Sequence, residues 1–311
     1  MRLLIPRLHP ALPALAAALL AACGGDPGAR RPSTPADSSV SVVDDAGRTV
    51  TLPHPARRIV ALVPAVTETV IALGAAERLV GRTDYDKGAA VERLPSVGGG
   101  LDPSIEKLVS LHPDVVLGWE TSGRTELRDR LTALGIPVFS VKTEDTTDVF
   151  RSLRNLGRLT ARERAADSVA ASIRGELDAV RASVAGAARP SVFFVVWNDP
   201  PMTAGPRTFV SHVIEVAGGR NAFADQRALW PNVSLEEIVR RQPDFVVVPV
   251  GEQGTVRLEA LKTAVGWREL RAVREGRIVT VPAQVVNQPG PHLARAARAM
   301  RDAIHPEIKG R

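Results

Sequence analysis

The chain has 311 residues, 44% of them hydrophobic and 24% charged, with a formal net charge of +6. That balance suits a soluble α/β protein built as one large domain or two smaller ones. Its arginines are interspersed with Asp and Glu, and no run joins dense Lys/Arg to aromatics, which argues against nucleic acid as a partner.

Arg2 and Arg7 precede an alanine-rich apolar run from Ala11 to Ala22. The run is too short to span a bilayer and suits the core of a signal peptide. It ends in Leu20-Ala21-Ala22-Cys23-Gly24, which is similar to a bacterial lipobox, the signal in which the cysteine is lipidated and becomes the mature N-terminus. An ordinary secretory signal with an incidental cysteine is the other reading. The only cysteine of the chain stands at the end of the run, and that placement favours lipidation at Cys23. It also excludes an intramolecular disulfide. Residues 1–22 are therefore expected to be a lipoprotein signal peptide. Residues 23–39, rich in Gly, Pro, Ser and Asp, are expected to be a flexible tether. The protein is expected to be exported and periplasmic, held at the membrane by the lipid on Cys23.

From Val40 to Leu52 the pattern alternates around Asp45-Ala46-Gly47 and predicts a β-hairpin. Apolar strand candidates then alternate with helical patterns. They are Ile59–Val63, Leu79–Thr83, Val115–Trp119 and Val138–Val141 in the first half, and Ser191–Trp197, Phe245–Pro249 and Ile278–Pro282 in the second. Alternation with helices predicts a mostly parallel sheet in each half. Between the halves, Thr160-Ala161-Arg162-Glu163 has the form of a capping box. Val169, Ile173, Leu177, Val180 and Val184 follow at helical spacing, with no proline before Pro190. A helix of about 24 residues, roughly 36 Å, is predicted. Joining two lobes, it would limit hinge motion; packed within one lobe, it would not. The expected divisions are an N-terminal lobe over 40–145, a linking helical segment over 146–189 and a C-terminal lobe over 190–311.

One stretch is written twice at a constant offset of 130 residues, Glu106 to Glu236. Ser104-Ile105-Glu106-Lys107-Leu108-Val109 and Pro113-Asp114-Val115-Val116-Leu117 return as Ser234-Leu235-Glu236-Glu237-Ile238-Val239 and Pro243-Asp244-Phe245-Val246-Val247. Each copy reads as helix, turn and buried strand, so the chain is a duplicated unit with two similar lobes. Glu106 and Glu236 fall in a first helical turn, where the macrodipole favours an acid by about 0.3–1 kcal/mol, and that alone accounts for either one. In symmetric positions the pair also offers a two-point docking surface to a symmetric partner.

There is no Gly-x-Ser-x-Gly elbow, P-loop, His-Glu-x-x-His or EF-hand loop, so an exported enzyme on this fold is set aside. Gly98-Gly99-Gly100 lacks the Lys-Ser/Thr of a phosphate loop and reads as a flexible or closely approached loop. His54, His112, His212, His292 and His305 are scattered without the spacing of metal ligands, and no metal or cofactor is expected. Open α/β sheets bind ligands beyond the carboxyl ends of their strands. Pro64-Ala65, Tyr85, Trp119 and Trp197 fall there, with Pro200-Pro201-Met202-Thr203 following, and Trp230 stands in a loop before the second repeat. The chain has only four Trp and one Tyr, so this placement is uneven and suits a large, partly apolar ligand. Trp119 and Trp197 read equally well as core residues; Trp230, among Pro and Asn, less so.

From about Val42 to Asp302 the chain resembles the periplasmic substrate-binding proteins of ABC importers for cobalamin, haem and iron-siderophores, closest to the BtuF-type cobalamin-binding branch. The likeness is carried by Asp44-Asp45-Ala46-Gly47-Arg48, Arg58-Ile59-Val60-Ala61-Leu62 and Pro64-Ala65-Val66-Thr67-Glu68. The second half adds Pro200-Pro201-Met202-Thr203-Ala204-Gly205, Val213-Ile214-Glu215-Val216-Ala217-Gly218-Gly219 and Trp230-Pro231-Asn232-Val233-Ser234-Leu235-Glu236. The resemblance implies an α/β fold of two Rossmann-like lobes with parallel sheets joined by one long α-helix, ligand in the cleft and little domain movement. It implies that Tyr85 and Trp230 contact a corrinoid; the strand-end residues Pro64, Ala65, Trp119 and Trp197 and the compared positions Gly100, Met202 and Gln284 complete the expected ligand set. It also implies that Glu106 and Glu236 pair with arginines of the permease dimer. Three positions depart from the cobalamin binders: glycines replace a tryptophan near Gly100, Met202 replaces a phenylalanine, and no acid stands near Gln284. The resemblance thus implies a monomeric lipoprotein that captures cobalamin or a related corrinoid and delivers it to an ABC permease dimer with its ATPase. Haem or a ferric siderophore is the alternative ligand, and haem would call for an axial ligand such as Tyr85 or a nearby histidine.

Overall fold

The computed structural model describes residues 39–120, 125–251 and 258–308. The expected signal peptide, Cys23 and all but the last residue of the expected tether lie outside the described residues. The chain enters as an antiparallel hairpin, β1 (Val40–Val43) and β2 (Thr49–Leu52), turning at Gly47 with φ of 77°. The buried Asp44 carboxylate accepts from the Ala46, Arg48 and Ser140 amides, which closes the turn and fastens the hairpin to the sheet behind it.

The first lobe follows as β3 (Ile59–Ala61), α1 (Pro64–Ala72), β4 (Leu79–Gly81), α2 (Ile105–Ser110), β5 (Val115–Trp119), α3 (Glu126–Ala133) and β6 (Val138–Val141). Two helices come next, α4 (Thr146–Leu159) and α5 (Glu163–Ser183). The second lobe comprises β7 (Ser191–Phe194), β8 (Trp197–Asn198), β9 (Pro201–Met202), α6 (Phe209–Val216), β10 (Arg220–Asn221), α7 (Leu235–Arg241), β11 (Phe245–Val250), α8 (Leu258–Thr263), α9 (Arg271–Arg274), β12 (Ile278–Pro282), α10 (Ala283–Val286) and α11 (Leu293–Ile304).

Both main sheets are parallel, ordered β4-β3-β5-β6 and β10-β7-β11-β12. Counted in chain order within each lobe, both read 2-1-3-4. The inner strands are apolar on both faces because helices cover both faces; Val115, Val116, Val246, Val247 and Val248 are fully buried. Two expectations change here. Ser191–Trp197 is not one strand: β7 stops at Phe194, and the Val196 amide leaves the sheet to donate to the Met202 carbonyl, opening the β8–β9 hairpin. The edge strand β10 escapes hydrophobic patterning because it is two residues long and polar, fixed by the buried Asn221 amide group on Ala204 O and Ser211 Oγ.

The linking helix is α5, and it starts later than the capping-box pattern predicts. Thr160 ends α4 instead, and its buried hydroxyl donates back to the Leu156 carbonyl. Ala161 turns the chain with φ of 49°, and α5 begins at Glu163 with no side-chain cap. At 21 residues it is roughly 31 Å long. It packs on α4 at one side and on α6 and α11 at the other. The α4–α5 crossing is tight at Gly157, where a Cβ would stand 2.8 Å from that of Ala166. One apolar core runs through this layer into both lobes, from Val70 and Leu153 across Ile173 and Leu177 to Ile214 and Ala297. Smaller cores lie under the outer face of each sheet. A core shared by the lobes resists hinge bending, because opening it would expose the apolar surface it buries.

The duplicated stretch folds the same way twice. Ser104 Oγ accepts from the Lys107 amide at 3.3 Å and Ser234 Oγ from the Glu237 amide at 3.1 Å, capping α2 and α7. Both helices then meet a left-handed residue, His112 (φ 45°) or Gln242 (φ 42°), ahead of the proline. The aspartate after each proline staples the neighbouring strand. Asp114 accepts from the Arg57 and Arg58 amides, and Asp244 from the Ser191 amide and hydroxyl, at 2.7–2.9 Å.

Candidate ligand-binding cleft

In each sheet the strand order reverses between the first and third strands, and ligands of open α/β sheets settle beyond the carboxyl ends at that point. The two reversal points face one another. β3 runs out to Pro64 and β5 ends at Trp119; β7 runs out to Val196 and β11 ends beside Gly251. All four of these residues line two cavities between the lobes, joined at Asn287.

The first cavity, about 440 Å³, is mostly aromatic and aliphatic: Trp119 and Val141 from one lobe face Phe194, Val196, Phe209 and Trp230 from the other. Trp230 packs edge-on against Phe209 at 6.2 Å between ring centroids. Its loop is held by two backbone bonds, Thr203 N–H to Pro231 O at 3.1 Å and Gly205 N–H to Leu229 O at 2.7 Å. Thus the Met202-Thr203-Ala204-Gly205 segment acts as a rail for the Trp230 loop. The second cavity, about 310 Å³, is polar, with Glu68, Tyr85 and Lys87 opposite Gln284, His292 and Arg295. Tyr85 is half exposed on a loop closed by Asp86, whose carboxylate accepts from both the amide and hydroxyl of Thr83 at 2.7 Å.

Of the residues singled out in the sequence, Pro64, Tyr85 and Gln284 line the polar cavity, and Trp119 and Trp230 the aromatic one. Gly100 stands beside them as a seat: a Cβ there would fall 2.2 Å from the Leu62 carbonyl and 3.0 Å from the Trp119 ring. The glycine loop is thus closely approached by backbone, the second of its two readings. Ala65, Trp197 and Met202 line neither cavity. Ala65 is buried at 5% exposure against Gly290, and Trp197 lies on the exposed hairpin with its indole N–H on Asp199 O. Phe209 carried a signal as an aromatic at a helix start, whereas Phe194 was hidden inside the expected strand Ser191–Trp197 and stands at a strand end only because β7 stops there. Glu68, Lys87, His292 and Arg295 carried none, because only the fold brings positions this far apart together.

Three polar contacts tie the lobes, on two flanks of the cleft. His292 Nε2 stands 3.3 Å from the Glu68 carboxylate. At the other flank the Phe209 amide donates to the Glu144 carbonyl at 2.9 Å, and His212 Nδ1 lies 2.8 Å from Thr146 Oγ1. His212 Nε2 faces the Arg181 guanidinium at 3.0 Å. A guanidinium only donates, so Nε2 is the acceptor and the proton sits on Nδ1, donated to Thr146. Burial, and then the Arg181 charge, hold the His212 pKa below its ordinary value, in accord with this neutral form.

Glu106 and Glu236 lie outside the cleft, one on each lobe, exposed in the first turns of α2 and α7. Neither carboxylate makes an ion pair with a described residue. The adjacent Glu237 behaves differently, engaged by Arg240 and Arg241, and its pKa is lowered first by the Arg241 hydrogen bond.

Known proteins share this plan. The chain is 29% identical over 304 residues, 94% of its length and 95% of the relative's, to the uncharacterized ABC transporter substrate-binding lipoprotein YvrC of Bacillus subtilis. It is 32% identical to a cobalamin-binding protein of Halobacterium salinarum, over 86% of this chain and 74% of that one. Among solved structures, the periplasmic haem-binding protein RhuT of Roseiflexus sp. RS-1 superposes with a TM-score of 0.68 at 26% identity, over 79% of this chain and 98% of its own. A family model described as periplasmic binding protein matches residues 59–285. With that match over most of its length and the two-lobed helical-backbone fold, the chain belongs to the periplasmic binding protein family.

Proposed function

We propose that this protein is the exported substrate-binding component of an ABC importer, that its ligand is cobalamin or a related corrinoid, and that Cys23 carries its lipid anchor. The observation that carries the ligand reading is the aromatic cavity between the paired reversal points, where Trp119, Phe209 and Trp230 offer flat apolar surface to a large macrocycle. The name of the Halobacterium relative supports the corrinoid choice. Glu106 and Glu236 serve as feet on the permease, each without an ion pair to a described residue and each on its own lobe.

A second reading, haem in the same cleft, is favoured by Tyr85 and His292, two side chains able to coordinate iron that both line the polar cavity. Gel filtration decides between them. Protein mixed with cyanocobalamin is expected to elute pink, with quenched tryptophan emission. Tight binding of haemin with no binding of cobalamin would replace the corrinoid by haem.

A further inference from the structure

The polar cavity contains two carboxylates and two cations whose situations differ. Asp86 is closed by Thr83, and Glu68 stands against His292. Lys87 and Arg295 are exposed, and neither side chain has a hydrogen bond or ion pair to a described residue. One comes from each lobe, and both line the same space. At the aromatic end the charged lining groups are instead acids, Glu120 and Glu144. The two ends therefore differ: the polar end sets two cations that pair with no described residue beside two acids already engaged, and the aromatic end has acids alone.

We infer that Lys87 and Arg295 form a clamp, one arm from each lobe, for an anionic oxygen group at the rim of the ligand. Phosphate and carboxylate share the chemistry such a clamp reads, since both accept charge-assisted hydrogen bonds from guanidinium and ammonium. The aromatic end offers the same group acids and no cation, so the difference between the ends also orients a flat ligand whose two ends would otherwise be interchangeable. This inference rests on the corrinoid reading for its first probe: an intact cobalamin carries a phosphodiester at its edge, whereas a cobinamide is the same macrocycle without it. Haemin supplies the carboxylate case.

The test titrates the wild-type protein and the Lys87→Gln/Arg295→Gln variant with cyanocobalamin, dicyanocobinamide and haemin, at low and high salt. The wild type is expected to bind cobalamin more tightly than cobinamide. The double variant is expected to lose about tenfold in cobalamin affinity and nothing for cobinamide, as removal of two exposed charge contacts predicts. The difference should shrink at high salt, and Arg295→Lys alone should keep most of it. Equal losses for both corrinoids would mean that the residues shape the cleft without reading charge, and would overturn the clamp. So would unchanged affinity for both. If only haemin binds and the variant weakens it, the clamp stands and the corrinoid reading falls. If haemin alone binds and is not weakened, or if none of the three binds, both fall.

Discussion

The two copies of the repeated stretch keep one set of features and let another drift. Both keep the serine cap, the left-handed residue, the proline and the aspartate staple, all of which act on backbone. The side chains around them diverge. Lys107 in the first lobe corresponds to Glu237 in the second, where Arg241 joins Glu237 to Asp225. The first lobe instead uses Arg58 to cover the Leu111 and His112 carbonyls at the end of α2. Each lobe thus secures its copy of the helix by its own chemistry, while the preceding acid has no ion pair to a described residue in either. At that position the helix dipole is left as the stabilising contribution, about 0.3–1 kcal/mol in each copy.

Charge reversal gives the largest expected effect. With both Glu106→Lys and Glu236→Lys, transport into cells should be lost while ligand affinity of the purified protein is unchanged; the single variants should be impaired alike. A fall in affinity of the double variant would place these residues in the pocket or the fold. The aspartate staples come next. Asp244→Ala should cost about 1–3 kcal/mol in denaturant unfolding, because it strands the part-buried Ser191 amide. Asp114→Ala, whose partners are more exposed, should cost about 1 kcal/mol. The reverse order would show that the lobes are not stapled alike.

The smallest effect concerns the seam between the lobes. Since the folded pKa of His212 lies below its ordinary value of 6.5, the unfolded chain takes up its proton first. Its contribution to stability is fully present above about pH 6.5 and is lost as pH falls through the folded value. His212→Gln should flatten the melting temperature against pH in that window. An unchanged profile would detach the residue from the seam.

Much of the architecture was legible because buried parallel strands are written as unbroken apolar runs; Val115–Trp119, Val138–Val141 and Ile278–Pro282 appear as read. The repeat was equally plain, since its proline-aspartate pair marks a fixed joint. Thr160 misled because a Thr-x-x-Glu pattern does not say whether a helix has just ended, and here α4 occupies the residues before it. In the cleft, Trp119, Trp230 and Tyr85 stood out by rarity and position. Glu68 and His292 lie 224 residues apart and meet only through the fold. Trp197 stood out by its place at the end of an expected strand and Met202 by the resemblance, yet the β8–β9 hairpin turns them toward its own pairing and away from both cavities.

The shared core has a mechanical consequence. With apolar packing continuous across α5 and polar ties on both flanks of the cleft, the ligand's own binding energy has little reason to be spent moving the lobes. Release must then be driven from outside. A partner that grips the two glutamates holds one handle on each lobe, and any change in the spacing of its grips becomes torque about α5. The protein would behave less like a jaw than like a stiff clothes-peg, closed by its own spring and opened by pressing on the arms.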